Sequence, residues 1–183
     1  MIRLASASQT RAKILSGHNI AFVQESVEFD EETIVAKTPK SFVYQATLGK
    51  YKKNYEHFGI EEYPLLVADT VVTAHNRILR KARCIEEARN ILLSQSGSVT
   101  SIITCMVYHS KKLQLVDISV TDYLFGSFDT QDLEAYLESG EWRGKAGGCM
   151  VEGFCKKYIK EVRGFESTAM GLCVEKLQRF IYL

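Results

Sequence analysis

Asp69 is the residue whose position first asks for a chemical explanation. It stands between two β-rich runs, YPLLVA at 63–68 and VVTA at 71–74. Aspartate is a poor strand former and costs free energy when buried without a partner. Its carboxylate is therefore either bonded structurally or placed for chemistry, where such a group orients or deprotonates water and ligates hard cations. A second candidate is the serine-rich turn that follows the apolar run Ile2 to Ala5. Ser8 has the character of an N-cap, with Gly17 closing the helix behind it, so the turn presents backbone N–H groups and the positive end of a helix dipole. Phosphate is favoured at such a place, and Arg11 in the first turns adds a planar cationic fork. Many strand-to-helix turns bind nothing, so a purely structural cap is the competing reading.

Other charged groups carry less information. Glu28, Asp30, Glu31 and Glu32 form an acidic patch, Lys50 lies in the charged stretch KYKKNYE, and Lys81 sits between Arg80 and Arg83. Taken alone, both lysines read as solvated faces. His18, His57, His75 and His109 are isolated, and Trp142 reads as packing, with a place at the rim of a cleft as the alternative.

The elements that must position these groups alternate between α and β. A helix begins at Thr38-Pro39 with proline in its first position and buries Phe42, Val43, Ala46 and Tyr51. Strands are expected at 20–24, at 63–68 with an abrupt end at Asp69, at 71–74, at 102–108 and at 113–125. Helices are expected over 85–93, from a Thr130 cap to Ser139-Gly140, and at the C-terminal end, where Leu172, Val174, Leu177, Phe180 and Ile181 are apolar. A glycine-punctuated segment, GEWRGKAGG, spans 140–148.

Composition narrows the class. The chain has 183 residues, 46% hydrophobic and 25% charged, an ordinary globular balance that predicts one domain over 1–183. Lysine plus arginine number 23 against 22 for aspartate plus glutamate, so no global basic field favours long nucleic acid and any anionic ligand is held locally. Neither a membrane-length apolar stretch nor a signal-peptide pattern is present, which predicts a cytoplasmic protein without membrane association. The five cysteines are odd in number and form no Cys-x-x-Cys pair, so reduced, mostly structural thiols are expected.

Five local patterns, in order, resemble the Maf family of nucleotide pyrophosphatases. LASASQTRAKIL at the start is similar to its Leu-Ala-Ser-x-Ser-Pro-Arg-Arg opening, FDEE at 29–32 to its Asp-Glu element, and VADTVV at 67–72 to its signature core. ESGEWRGKAGG at 138–148 resembles its late glycine-rich loop, and MGL at 170–172 its closing Val-Gly-Leu-Pro without the proline. The resemblance implies an α/β fold, an elongated mixed sheet with flanking helices and two lobes around a deep nucleotide-binding cleft. It implies hydrolysis of a nucleoside triphosphate to the monophosphate and pyrophosphate, with magnesium or manganese as the divalent cation, and a homodimer. It places the catalytic base on Asp69, phosphate contacts on Ser8, Arg11, Lys50 and Lys81, and metal ligation on Asp69 and Glu31, with Asp30 and Glu32 one residue to either side of the latter. Gln9, Thr10 and Ala82 depart from the family's proline, arginine and proline.

Glu152 stands where dTTP- and UTP-hydrolysing members have glutamine. An ionised carboxylate only accepts hydrogen bonds, so Glu152 implies a base that presents donors, such as guanine or a methylated guanine, with Thr10 and Thr70 shaping the rest of the pocket. The competing placement is Glu152 in solvent or paired with Lys145 or Lys156. A competing function is a nucleotide-binding regulator of cell division with vestigial catalysis, which the family's association with septum formation allows. Turnover with release of pyrophosphate separates the two.

Overall fold

The computed structural model describes residues 1–31 and 34–181. Strand β1 (Ile2–Leu4) leads into helix α1 (Gln9–Gly17), followed by β2 (Phe22–Gln24), α2 (Pro39–Phe58), β3 (Leu65–Ala74) and β4 (Arg77–Ile78). Then come α3 (Ile85–Gln95), β5 (Val99–His109), β6 (Gln114–Phe125), α4 (Thr130–Ser139), a 3-10 turn at Phe154–Tyr158, β7 (Ile159–Arg163), α5 (Glu166–Ala169) and α6 (Val174–Ile181). The protein is α/β. Its strands form a mixed seven-stranded sheet in the order β2-β1-β3-β5-β6-β7, with β4 paired to β3. β1 runs parallel to both β2 and β3, whereas β4 and β7 join antiparallel.

The chain forms two compact units. The first comprises Met1–Thr70, Ile103–Val120 and Phe165–Leu183. The alternation of β3 explains how it is layered, because successive side chains of a strand point to opposite faces. Leu66 and Ala68 join Ile2, Leu4, Met106 and Tyr108 in a core that α1 completes with Ala12, Ile14 and Leu15 and α6 with Val174 and Leu177. Leu65 and Val67 face the other way, with Ala5, and are covered in part by Tyr51 of α2. Each fully buried aliphatic side chain contributes about 1.5–3 kcal/mol. Two start signals read from the sequence cap their helices: Ser8 Oγ accepts from the Arg11 N–H at 3.4 Å and Thr38 Oγ1 from the Ser41 N–H at 3.1 Å.

The second unit comprises Val71–Ile102 and Thr121–Gly164. Its glycine-rich segment is held by structural bonds. Lys81 and Ala146 form an antiparallel bridge, Gln95 Nε2 donates to the Gly147 carbonyl at 2.7 Å, and the Tyr136 hydroxyl donates to the Gly148 carbonyl at 2.9 Å. Burial pushes the Tyr136 phenol up to about 12. Trp142 is buried, with its indole N–H on the Leu137 carbonyl, and is a packing residue.

Several expectations are corrected. β3 does not stop at Asp69 but runs through it to Ala74, and β4 and β7 are further strands. Asp129, not Thr130, caps α4, its carboxylate accepting from the Asp132 N–H. The cysteines are not all reduced, because Cys149 and Cys155 form a disulfide. The turn between them brings their Cα atoms to 6.6 Å, within bridging range, a closeness that spacing in sequence does not reveal. No helix among the described residues is long and apolar enough to cross a membrane.

Candidate active site

The candidate site gathers in the first unit, beyond the carboxyl ends of the parallel strands β1 and β2 and at the midpoint of β3. Open α/β sheets bind ligands at such ends. A cavity of about 300 Å³ is lined there by Ser6 and Arg11 after β1, Glu28 and Glu31 after β2, and Lys50 and Asn54 of α2.

Neighbouring residues of β3 serve its two faces. Asp69 shares the face of Leu65 and Val67 and meets α2, where Lys50 Nζ lies 3.0 Å from Asp69 Oδ1 and 2.5 Å from Glu31 Oε1. The Asp69 side chain is only 13% exposed, so the carboxylate in the strand is compensated by a cation and not left unpaired. Thr70 shares the opposite face and meets α1, its hydroxyl accepting from Arg11 Nη2 at 3.2 Å.

Arg11 is held at all three of its nitrogens. Nη1 donates to Ser6 Oγ at 2.9 Å and Nε to the Gly171 carbonyl at 2.8 Å. Gly171 has φ +105°, and a Cβ there would crowd Thr70 Oγ1 and Arg11 Nε, so the close approach suits glycine. None of these acceptors is charged. Burial pushes the guanidinium's pKa below its usual value, while the fields of Asp69 and Glu31 raise it.

The backbone around the site is tied by two side chains that sequence reasoning missed. Gln24 Nε2 donates to the carbonyls of Ser6 at 2.7 Å and Ser8 at 3.3 Å, fixing the serine turn against β2. Buried Asn54 accepts from the Val27 N–H at 2.9 Å and donates to the Lys50 carbonyl at 2.8 Å, fastening the acidic segment to α2. Both are glutamine- or asparagine-type residues in otherwise regular elements. The only signal available in sequence was an amide on a buried face.

Seven of the predicted residues thus fall in one unit. Ser8, Arg11, Glu31, Lys50, Asp69 and Thr70 are all there, and Thr10, partly buried, lies on α1. Asp30 belongs to the same acidic segment, whereas Glu32 falls outside the described residues. Lys81 and Glu152 belong to the second unit, where both are exposed.

The donor set suits a hard divalent cation. Oxygens of Asp69 and Glu31 converge on one cationic atom, the Lys50 ammonium. No group of three or more acidic, histidine or cysteine side chains able to hold a metal is found among the described residues. Two carboxylates are enough for magnesium or manganese, which fill their remaining positions with water and phosphate oxygens.

Residues 1–182 match the family described as Maf-like protein. The chain is 57% identical over 179 residues to a protein of a Nitratiruptor species, covering 97% of this chain and 96% of that one. It is 40% identical over 174 residues to one of Helicobacter pylori, covering 95% and 91%, and 32% identical over 183 residues to one of Campylobacter jejuni, covering 99% and 100%. All three relatives bear the name nucleoside triphosphate pyrophosphatase. Matched by the family pattern over residues 1–182 and 57% identical to a relative over nearly its whole length, the chain belongs to the Maf-like family.

Proposed function

We propose that this protein hydrolyses nucleoside triphosphates to the monophosphate and pyrophosphate. The observation that carries the reading is Arg11, a half-buried cation held only by neutral acceptors beside a polar cavity. Such a group gains most from an anion that enters its site. The name that the relatives bear, nucleoside triphosphate pyrophosphatase, supports the same activity.

A triphosphate carries about four negative charges, and attack on its α-phosphorus asks for positioning and charge stabilisation more than covalent chemistry. Arg11 grips phosphate oxygens with its fork. The Ser8 hydroxyl caps α1 with its oxygen, which leaves its proton to donate to phosphate at the helix N-terminus. Lys50 offsets the repulsion between Asp69 and Glu31 and adds positive charge. Asp69 orients water and takes its proton. A bound magnesium or manganese ion would neutralise phosphate charge, held by Asp69 and Glu31. No cysteine or serine nucleophile takes part.

The test is a panel of canonical and modified nucleoside triphosphates with magnesium or manganese, read as monophosphate and pyrophosphate. Orthophosphate as the product, or no turnover anywhere in the panel, overturns the reading. Within the panel, Glu152 favours guanine-type bases. Glu152→Gln therefore moves the ratio of kcat/KM from GTP-type toward UTP-type substrates, and an unchanged ratio removes Glu152 from base recognition. The acting form is a cytoplasmic homodimer, for which sedimentation at micromolar concentration is the check.

A further inference from the structure

We infer that Thr104 is a positioning residue for the phosphate grip, acting on Arg11 through the hydroxyl of Thr70. The inference rests on the proposed hydrolysis only in assigning the grip to phosphate. Thr104 is 1% exposed and lies on β5, remote in sequence from every motif that marks the site.

Proton counting gives the contact a direction. A threonine hydroxyl has one proton and two lone pairs. Thr104 Oγ1 donates to the Thr168 carbonyl at 2.7 Å, so its proton is engaged there. The 2.9 Å contact between the hydroxyls of Thr104 and Thr70 is then one in which Thr70 donates and Thr104 accepts. With its own proton committed to Thr104, Thr70 turns a lone pair toward Arg11 Nη2 at 3.2 Å. Donation thus runs one way, from Arg11 to Thr70 to Thr104 to the Thr168 carbonyl.

The order matters because Arg11 can only donate. If the Thr70 proton were free to rotate, it could point at Nη2 and oppose the guanidinium donor to donor. Thr104 removes that alternative. Its burial excludes water that could stand in, and the Gly171 carbonyl on Nε and Ser6 on Nη1 complete the cradle. The guanidinium is therefore fixed before any ligand arrives, and preorganised donors bind and stabilise charge without paying for rearrangement.

The experiment compares Thr104→Val, which keeps shape and removes the hydroxyl, with Thr104→Ser, which keeps the hydroxyl. Two quantities are read: the Kd for inorganic tripolyphosphate by calorimetry, and kcat and KM separately on the best nucleoside triphosphate. Thr104→Val is expected to raise the Kd and KM about tenfold, the size of one lost hydrogen-bonded constraint. Thr104→Ser is expected to return both to within about twofold of the parent, because the same chain of donors is rebuilt. In an Arg11→Ala background, Thr104→Val should add nothing to the loss of tripolyphosphate binding, since coupled residues are non-additive.

A structural role alone would lower the melting temperature of Thr104→Val and leave the Kd and KM at parental values, which overturns the inference. Equal losses from Thr104→Val in the presence and absence of Arg11 overturn it as well. A parent that binds tripolyphosphate but turns over no nucleotide defeats the proposed hydrolysis and leaves the relay standing. A parent that binds no tripolyphosphate defeats the grip and the relay together.

Discussion

Asp69 and Thr70 are adjacent in the chain yet belong to different machinery, one turned to Lys50 on α2 and the other to Arg11 on α1. The division follows from strand alternation, and it makes the consequences of changing each residue separable. Asp69→Asn keeps the size and much of the hydrogen bonding but removes the charge, so turnover is expected to fall by about a hundredfold or more while the melting temperature stays near the parent's. Parental turnover in purified Asp69→Asn would show that water is activated elsewhere. Asp69 was legible in sequence because an acid inside an apolar β run is anomalous, and Ser8 with Arg11 because helix caps are local. Gln24, Asn54 and Thr104 were not. Their bonds reach across 16, 27 and 64 residues, and a buried polar residue reveals its partner only once the chain has folded.

Helix α2 carries Lys50 and Asn54 on one flank, and the close approach that lets the acidic segment reach them occurs at Gly49. A Cβ at this position would collide with the ring of Phe29, two residues before Glu31. Gly49→Ala therefore sets two effects against each other. Helix propensity favours alanine by about 1 kcal/mol. Displacement of Phe29 moves Glu31 away from Lys50, so kcat/KM is expected to drop about tenfold, as loss of one charge-assisted contact would give. Helical content by circular dichroism should not fall. Full activity in Gly49→Ala would mean that the Phe29 segment adapts without disturbing the site. At this scale the starts of α1 and α2 were legible, because serine, threonine and proline act locally. The extent of β3 was not, because strand propensity falls at Asp69 whereas pairing within the sheet carries the strand through. β7 escaped notice because IKEVR is charged and mostly exposed, the composition of a loop.

The whole molecule has a thiol pattern that composition did not disclose. Cys149 and Cys155 are bridged, Cys84 is exposed, and Cys105 and Cys173 are buried. Burial pushes the Cys105 thiol up to about 11, so at pH 8 it is almost wholly protonated and unreactive, and only above that value would it ionise. Alkylation of the native protein at pH 8 should add one label, at Cys84, with a second at Cys149 after reduction and the buried Cys105, Cys155 and Cys173 only after unfolding; labelling of Cys149 or Cys155 without reductant would refute the bridge. The first unit is likewise written into the chain in three separate stretches, 1–70, 103–120 and 165–183. Ile2 and Leu4 are buried against a core that includes Leu172, Val174 and Leu177. Leu172 is made 170 residues after Ile2. At about 5–20 residues per second, the ribosome needs roughly ten to thirty seconds to deliver it. For that interval the first strand has been synthesised but its covering helix has not, and the nascent chain must keep an apolar segment from neighbouring chains until α6 emerges.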